Sequence, residues 1–247
     1  MDKIKLGRRT LKDYDRDIID FSKTDQSMGV PMPPVQKKVK EDEISIKLPK
    51  IEIEKFDDIS LNTAIHQRKS VRKYTEEGLS LEELTYLLWA SHGVRLIKTG
   101  IVLRNAPSAG NRHAIDTYLS IHNVEGIKPG VYRYQPLDNE LVLITQHEDL
   151  RMRSAMAARG QSFAGNCPVT FFWVAVPYRM EWRYDHASYK VIALDAGHIC
   201  QNLYLAAEAI NSGVCAIAAY NQDYADQLLK LDGEDEFVVY MASLGKK

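Results

Sequence analysis

The amino-acid sequence predicts an α+β fold, chiefly from the order of its secondary-structure patterns. Three short runs rich in β-branched and aromatic residues, at 117–123, 131–136 and 141–146, follow one another with only turns between them. Segments with helical apolar spacing precede and follow these strands. No GxGxxG follows a strand and no GxxxxGKS/T occurs, so neither a Rossmann dinucleotide site nor a P-loop is indicated.

Composition excludes several classes of protein. The 32 Lys and Arg residues balance 33 Asp and Glu residues over 247 positions, so no net field favours nucleic acid or a membrane surface. The cysteines Cys167, Cys200 and Cys215 are widely spaced and are typical of reduced thiols in the core of a cytoplasmic protein. No apolar run approaches the roughly 20 residues of a membrane span.

The first part of the chain differs from the rest and is predicted to be an extended N-terminal arm, residues 1–58. Charged residues dominate it, and Pro31, Pro33 and Pro34 interrupt any helix. Alternating isoleucines between Ile44 and Ile53 predict an extended segment that lies along a surface, such as that of a partner subunit. A partly ordered leader is the alternative. Residues 59–247 then form the globular domain.

Two capped helices open the globular domain. Ser60 is placed to cap a short helix over 61–67, and Ser80 with Glu83 forms a capping box ahead of a helix that runs to about His92.

Between these helices lies the basic stretch RKSVRKY, residues 68–74. Its four cations and the hydroxyl of Ser70 can converge on a phosphate, because guanidinium groups bind phosphate oxygens in pairs and a serine adds a neutral donor. A solvated basic turn is the alternative interpretation. The stretch therefore suggests a cofactor that carries an anion.

A second candidate segment is the loop at 104–113, RNAPSAGNRH. Its Pro-Ser start and its Gly-Asn pair indicate a turn that exposes backbone donors and small side chains, which lets a flat ligand approach closely.

The remaining elements are predicted from apolar runs and from the turn and capping residues that bound them. Residues 178–190, rich in aromatic and charged side chains, fit either a lid over a site or a surface helical excursion. The seven histidines show no spacing typical of metal ligands, so no metal site is predicted. The predicted elements are a helix at 149–159, a central strand at 169–176, a long helix at 195–212, a strand at 214–220, a helix capped by Asp223 that runs to 231, and a strand at 237–244.

With these elements in order, the chain resembles a known family. RKSVRKY, then APSAGN, then LDAGHICQNLYLAAEAINSGVCAIAAY, then a final strand ending in Gly-Lys resemble the nitroreductase family of FMN-dependent oxidoreductases, from about Leu61 onwards. The helix AGHICQNLYLAA is most similar to the SagB-type branch. The resemblance implies a central, mainly antiparallel sheet flanked by helices, and a domain-swapped homodimer with FMN at the interface.

The resemblance also implies residue roles. Arg68 and Ser70, next to Lys69, would hold the FMN phosphate and ribityl chain together with Lys246, and Arg72 would reach the pyrimidine end of the flavin. The Pro-Ser loop of the other subunit and the strand after the long helix would complete the site. Many simple nitroreductases carry Glu-Gly where this chain has Ala218-Ala219. The residues implied in these last two segments are Pro107, Ser108, Ala109, Gly110, Asn111, Ile217, Ala218 and Ala219.

The function implied is hydride transfer from NADH or NADPH to a small acceptor, such as a nitro compound or quinone, by ping-pong turnover at the flavin. One alternative is a SagB-type azoline oxidase of a peptide-modifying complex, a branch that uses a Lys-Tyr pair as base. Here the nearest catalytic candidates are Tyr189 and Lys190, in reversed order. A non-catalytic flavin-binding module is a third possibility.

Overall fold

The computed structural model describes residues 2–56 and 58–247, and it places one seven-stranded antiparallel sheet at the centre of the molecule. The strand order is β1-β6-β5-β4-β7-β9-β8, and β2 and β3 form a separate hairpin. The strands are β1 (Ser45–Lys47), β2 (Val94–Lys98), β3 (Ile101–Arg104), β4 (Ile115–Ile121), β5 (Gly130–Gln135), β6 (Glu140–Thr145), β7 (Val169–Ala175), β8 (Ser212–Ile217) and β9 (Phe237–Lys246).

Helices cover both faces of this sheet. Alternate side chains of β7 point to opposite faces of the sheet. Phe171 and Trp173 pack with α3 and α6, whereas Phe172 and Val174 pack with α4 and α7. A strand buried on both faces is apolar throughout, as the sequence predicts for β7. The helices are α1 (Lys3–Thr10), α2 (Leu61–Gln67), α3 (Leu81–His92), α4 (Leu150–Ala157), α5 (Tyr178–Tyr184), α6 (Ser188–Glu208) and α7 (Gln222–Leu228).

The structure confirms the α+β fold class and both predicted helix caps. The Ser60 side chain accepts a hydrogen bond from the Thr63 amide, and the reciprocal bonds of the Ser80 and Glu83 capping box are both present. Among the described residues, no helix is both long enough and apolar enough to cross a lipid bilayer.

Several predicted boundaries were wrong. The long helix α6 begins at Ser188 and not at Asp195, because Asp185, at φ 48°, ends α5 and the chain re-enters a helix at once. Residues 178–190 are therefore α5, a short turn and the start of α6. Helix α7 is capped by Asn221, whose side chain accepts from the Tyr224 amide, and not by Asp223. The β2–β3 hairpin has no clear alternation of apolar residues, and the sequence analysis missed it.

The N-terminal arm is fastened to the body of its own chain. Buried side chains of the globular part donate to carbonyl groups of the arm: Trp182 to Val30 at 2.9 Å, and Gln135 to Lys37 at 2.6 Å. Strand β1 then pairs with β6 at the edge of the sheet. The extended segment predicted near Ile46 thus lies on this chain's own sheet, while a boundary at residue 58 and a contact with a partner subunit stay predictions.

Arg104 is a buried cation among the side chains that hold the arm. Its guanidinium donates to the carbonyl of Val35 at 2.7 Å and to Nε2 of His92 at 2.6 Å, so His92 is neutral and its Nδ1–H faces Thr117. Burial lowers the pKa of Arg104 to about 10. Removing the arm would take away the acceptor of Nη2 of Arg104 in the protein interior and leave only the contact with His92.

We predict that the arm stabilises the monomer. A chain lacking residues 2–48 loses β1 and the acceptors of Arg104, Gln135 and Trp182, and each buried donor without a partner costs about 1–3 kcal/mol. Its free energy of unfolding in urea should fall by at least ~3 kcal/mol. A chain lacking only residues 2–12 is the control, because no residue of α1 is buried. Equal unfolding midpoints for the two truncations would contradict the prediction.

Candidate functional site

The basic stretch 68–74 lies beside the edge strand β8. Ser70 forms a parallel bridge with Val214, and the Val71 amide donates to the Val214 carbonyl at 2.9 Å. Gly213 permits this approach, since a Cβ there would stand only 2.5 Å from Cγ2 of Val71. At the end of the stretch, the Tyr74 hydroxyl contacts Oγ of Ser243 at 2.7 Å. The stretch is therefore held against the sheet and is not a free basic turn.

Tyr204 of α6 joins two of the predicted phosphate ligands. Its hydroxyl lies 3.0 Å from Oγ of Ser70 and accepts from the Ala216 amide of β8 at 2.8 Å. The guanidinium carbon of Arg68 stands 5.2 Å from the centre of the Tyr204 ring, in cation–π contact. The sequence analysis missed Tyr204 because the predicted face of this helix ran through its apolar residues, and a tyrosine one place from Leu203 gave no separate signal.

Arg68 is available to bind an anion. Among the described residues, no carboxylate lies within 4 Å of its guanidinium. Lys69 beside it is exposed, and so is Ser70. A half-buried guanidinium without a counter-ion next to an exposed hydroxyl fits the chemistry of a phosphate group.

Arg72 lies on another part of the same surface. Its guanidinium stands 5.8 Å from the ring centre of Phe163, and it lines a cleft of ≈ 630 Å³ together with Lys73 and Arg151. Arg151 is held in place by a 2.8 Å bond from its guanidinium to the Gly165 carbonyl. The cleft therefore contains the residue expected to reach the pyrimidine end of a flavin, together with two further cations and the carboxylates of Glu76 and Glu77.

Lys246 is placed differently from Arg68. Its ammonium group is buried, pairs with the Glu83 carboxylate and donates to the Ile210 carbonyl at 2.9 Å. An ammonium has three N–H groups, so one donor remains after these two contacts. The structure gives no contact of Lys246 with Arg68, and its role at a phosphate stays a prediction.

The predicted strand residues lie where β8 ends. Ile217 is the last residue of the strand and is buried, whereas Ala218 and Ala219 follow it on the surface. The Ala219 carbonyl accepts from Nε2 of Gln161 at 3.0 Å, which fixes the chain direction beyond the strand. The exposed backbone of these two alanines is open to a flat ligand.

The Pro-Ser loop is a tight turn. Gly110, Asn111 and His113 all have φ between 51° and 59°, a conformation that side chains other than glycine adopt rarely. Oγ of Ser108 accepts from the His113 amide at 2.8 Å. Pro107 is exposed at the outer end of the turn.

Two buried polar side chains hold this loop. Nε2–H of His113 donates to the carbonyl of Val102 at 2.6 Å, and burial together with the charge of Arg104 lowers the pKa of His113 to about 4. Both carboxylate oxygens of Asp195 on α6 lie 3.3 Å from the Ala109 amide. Burial raises the pKa of Asp195. Neither residue was identified from the sequence, because each acts through a contact between distant segments.

The two halves of the predicted site lie on opposite sides of α6. Asp195 holds the Pro-Ser loop and Tyr204 holds the basic stretch, nine positions further along the helix. An α-helix turns by about 100° per residue, so nine residues make roughly two and a half turns and rise by roughly 14 Å. The half turn puts the two side chains on opposite sides of the helix. Within one chain, the helix therefore stands between the Pro-Ser loop and Ser70.

The two candidate catalytic residues, Tyr189 and Lys190, lie at the start of α6. Tyr189 is exposed and lines a shallow cleft with Tyr178 and Glu181. The ammonium of Lys190 lies 3.4 Å from a carboxylate oxygen of Asp13 in the arm. The structure gives no contact of either residue with the basic stretch, and their catalytic role is untested.

The chain is similar to known proteins in its sequence and in its fold. The chain matches the family model described as the nitroreductase family over residues 65–246. It is 30% identical over 209 residues to a candidate nitroreductase, MJ1384, of Methanocaldococcus jannaschii, with 83% of this chain and 98% of that one covered. It is 30% identical over 167 residues to the trifolitoxin-processing protein TfxB of Rhizobium leguminosarum bv. trifolii, covering 62% of this chain and 44% of TfxB. A solved structure, a candidate nitroreductase from Ralstonia eutropha JMP134, superposes with a TM-score of 0.70 at 27% identity, covering 85% of this chain and 93% of that one.

We predict that Gly213→Ala displaces the basic stretch. The new methyl group would meet the Val71 side chain at 2.5–3.1 Å, and such overpacking costs about 1–3 kcal/mol. The free energy of unfolding should fall by that amount, measured by urea denaturation. Gly7→Ala is the matched control, because a Cβ at Gly7 would meet nothing within 4 Å. The idea fails if the two variants unfold at the same urea concentration.

Proposed function

Because the chain belongs to the nitroreductase family, we propose that it is an FMN-dependent oxidoreductase that transfers hydride from NADH or NADPH to a small acceptor, such as a nitro compound or quinone. The observation that carries the proposal is the guanidinium of Arg68, which has no carboxylate partner among the described residues, beside the exposed hydroxyl of Ser70 and next to strand β8. Beyond the end of β8, Ala218 and Ala219 are exposed. When bound, the flavin supplies the hydride chemistry. The protein has only to bind, orient and tune it.

Each predicted ligand has a task in this proposal. Arg68 and Ser70 bind the terminal phosphate through charge-assisted and neutral hydrogen bonds. Arg72 stabilises negative charge at the pyrimidine end of the ring system, as a preorganised cation does for charge that develops during a reaction. The backbone of Ala218 and Ala219 lies along the ring. Lys246 adds its remaining N–H group to the phosphate.

We further propose that the enzyme is a homodimer in which each flavin site is shared. The support is the position of α6, which separates the Pro-Ser loop from Ser70 in one chain. Exposed apolar side chains on α2 and α6, Leu61, Ile65 and Leu194, offer a surface for a second copy. In a two-fold dimer, the loop of one subunit would complete the site of the other.

A peptide-modifying azoline oxidase is the second candidate function. It is favoured by the 30% sequence identity with TfxB, a trifolitoxin-processing protein. This chain spans 44% of the length of TfxB. Such an enzyme would need a partner complex and would oxidise a heterocycle in a peptide. A non-catalytic flavin-binding module is the third candidate, and turnover separates it from the other two.

The three buried free cysteines fit a reducing compartment, and we propose a cytoplasmic location.

We predict that the purified protein is yellow and releases FMN, not FAD, because Arg68 and Ser70 offer a site for one terminal phosphate. Mass spectrometry of the released cofactor identifies it. Isolated protein should then oxidise NADH or NADPH with a nitroaromatic acceptor, measured by loss of nicotinamide absorbance. Bound FMN without any such turnover would favour the azoline oxidase or the non-catalytic module, and absence of flavin after reconstitution would overturn all three.

We predict that sites recover in mixed dimers. One subunit carries Arg68→Ala and the other carries Pro107→Trp, a bulky change at an exposed position of the loop. With shared sites, one site of each heterodimer receives both lesions and the other receives none, so about half the sites should bind FMN tightly. Each homodimeric variant is the control and should bind weakly. If both motifs acted within one chain, every site would carry one lesion and no binding would return.

A further inference from the structure

The hydroxyl of Tyr204 occupies a position that the proposed function leaves unexplained. It contacts both the basic stretch, at Ser70, and strand β8, at Ala216, which lies just before Ile217, Ala218 and Ala219. The Tyr204 side chain is buried, whereas the Ser70 side chain is exposed. The contact therefore links a buried anchor to a surface donor.

The direction of the hydrogen bonds follows from their chemistry. A backbone amide can only donate, so Oη of Tyr204 accepts from the Ala216 N–H at 2.8 Å. The phenol proton needs an acceptor, because a buried hydroxyl proton left unpaired costs free energy. Oγ of Ser70, at 3.0 Å, is the acceptor that the described residues provide. Ser70 therefore accepts from Tyr204, and its own proton points away from the protein.

The same tyrosine orients the neighbouring cation. The Arg68 guanidinium lies over the aromatic ring, 5.2 Å from its centre, and an arginine stacked in this way presents its N–H groups sideways. One side chain thus sets the proton direction of Ser70 and the plane of Arg68. Both then offer N–H or O–H donors to the same region of the surface.

We propose that Tyr204 is a positioning residue that turns Ser70 into an obligatory donor and aligns Arg68, so that the site selects a ligand bearing a phosphate. This inference rests on the proposed function and deepens it: the relay from Ala216 through Tyr204 to Ser70 makes phosphate recognition depend on the strand that also carries the ring contacts. A hydroxyl that only stabilised the fold would have no such selectivity.

The test compares two ligands that differ by the phosphate. FMN and riboflavin are titrated against the apoprotein by quenching of flavin fluorescence, for the wild type and for Tyr204→Phe. The variant keeps the ring under Arg68 and loses the relay. Its dissociation constant for FMN should rise about tenfold, while that for riboflavin stays within about twofold of the wild type, since a hydrogen bond to a charged group contributes about one such factor.

Three further variants sharpen the result. Ser70→Ala should lower the preference for FMN over riboflavin to the same extent, and the double variant should lose no more than either single one, because both changes break one relay. Tyr132→Phe is the matched control, since its hydroxyl donates to the Lys128 carbonyl away from the site, and it should bind both flavins like the wild type.

The outcomes separate this inference from the proposed function. A wild type that binds neither flavin overturns both. A wild type that binds FMN, with a Tyr204→Phe variant that loses affinity for FMN and riboflavin equally or for neither, overturns the role of Tyr204 alone. Melting temperatures of Tyr204→Phe and Tyr132→Phe show whether the fold is equally retained, so that a general loss of structure is not mistaken for loss of selectivity.

Discussion

Helix α6 is the constraint on which the candidate site depends. Its buried residues join the core between the sheet and α3, while Asp195 and Tyr204 project in opposite directions and fix the Pro-Ser loop and the basic stretch. Neither segment belongs to a strand of the central sheet, and the helix adds one polar contact to the other contacts that hold each of them. The separation of the two segments across α6 is also the physical argument behind the proposal that two subunits share a site.

The arm contributes to the same arrangement from the other side. Arg104 and Arg112 flank the Pro-Ser loop, and both bind the arm: Arg104 at the Val35 carbonyl, and Arg112 at the sulfur of Met32. Arg112 also stacks on Trp182, which holds Val30. The arm precedes the region that matches the family model, residues 65–246, yet its backbone carbonyls satisfy buried donors beside the loop. The arm is therefore a structural part of the domain and braces a strained turn.

The cations of the candidate site differ in whether a carboxylate is paired with them. Arg68 has no carboxylate near it among the described residues, whereas Lys246 pairs with Glu83 and Lys247 pairs with Glu208. A cation that already has a counter-ion gains less from an added phosphate than one that has none, because the pairing has offset part of its charge. On these grounds Arg68, with the relay through Tyr204, should contribute more to anion binding than Lys246.

The sequence by itself determined the α+β class, the two capped helices, the central buried strand and the basic stretch, since caps, apolar runs and charge clusters depend on neighbours along the chain. It did not determine the start of α6, because the break between α5 and α6 is the backbone conformation of the single residue Asp185, which no local pattern marks. Only the tertiary structure decided that the arm joins its own sheet, that Tyr204 links Ser70 to Ala216, and that α6 divides the Pro-Ser loop from the basic stretch. These features are contacts between residues far apart in the chain, and no local pattern specifies such a contact until the fold brings its two partners together.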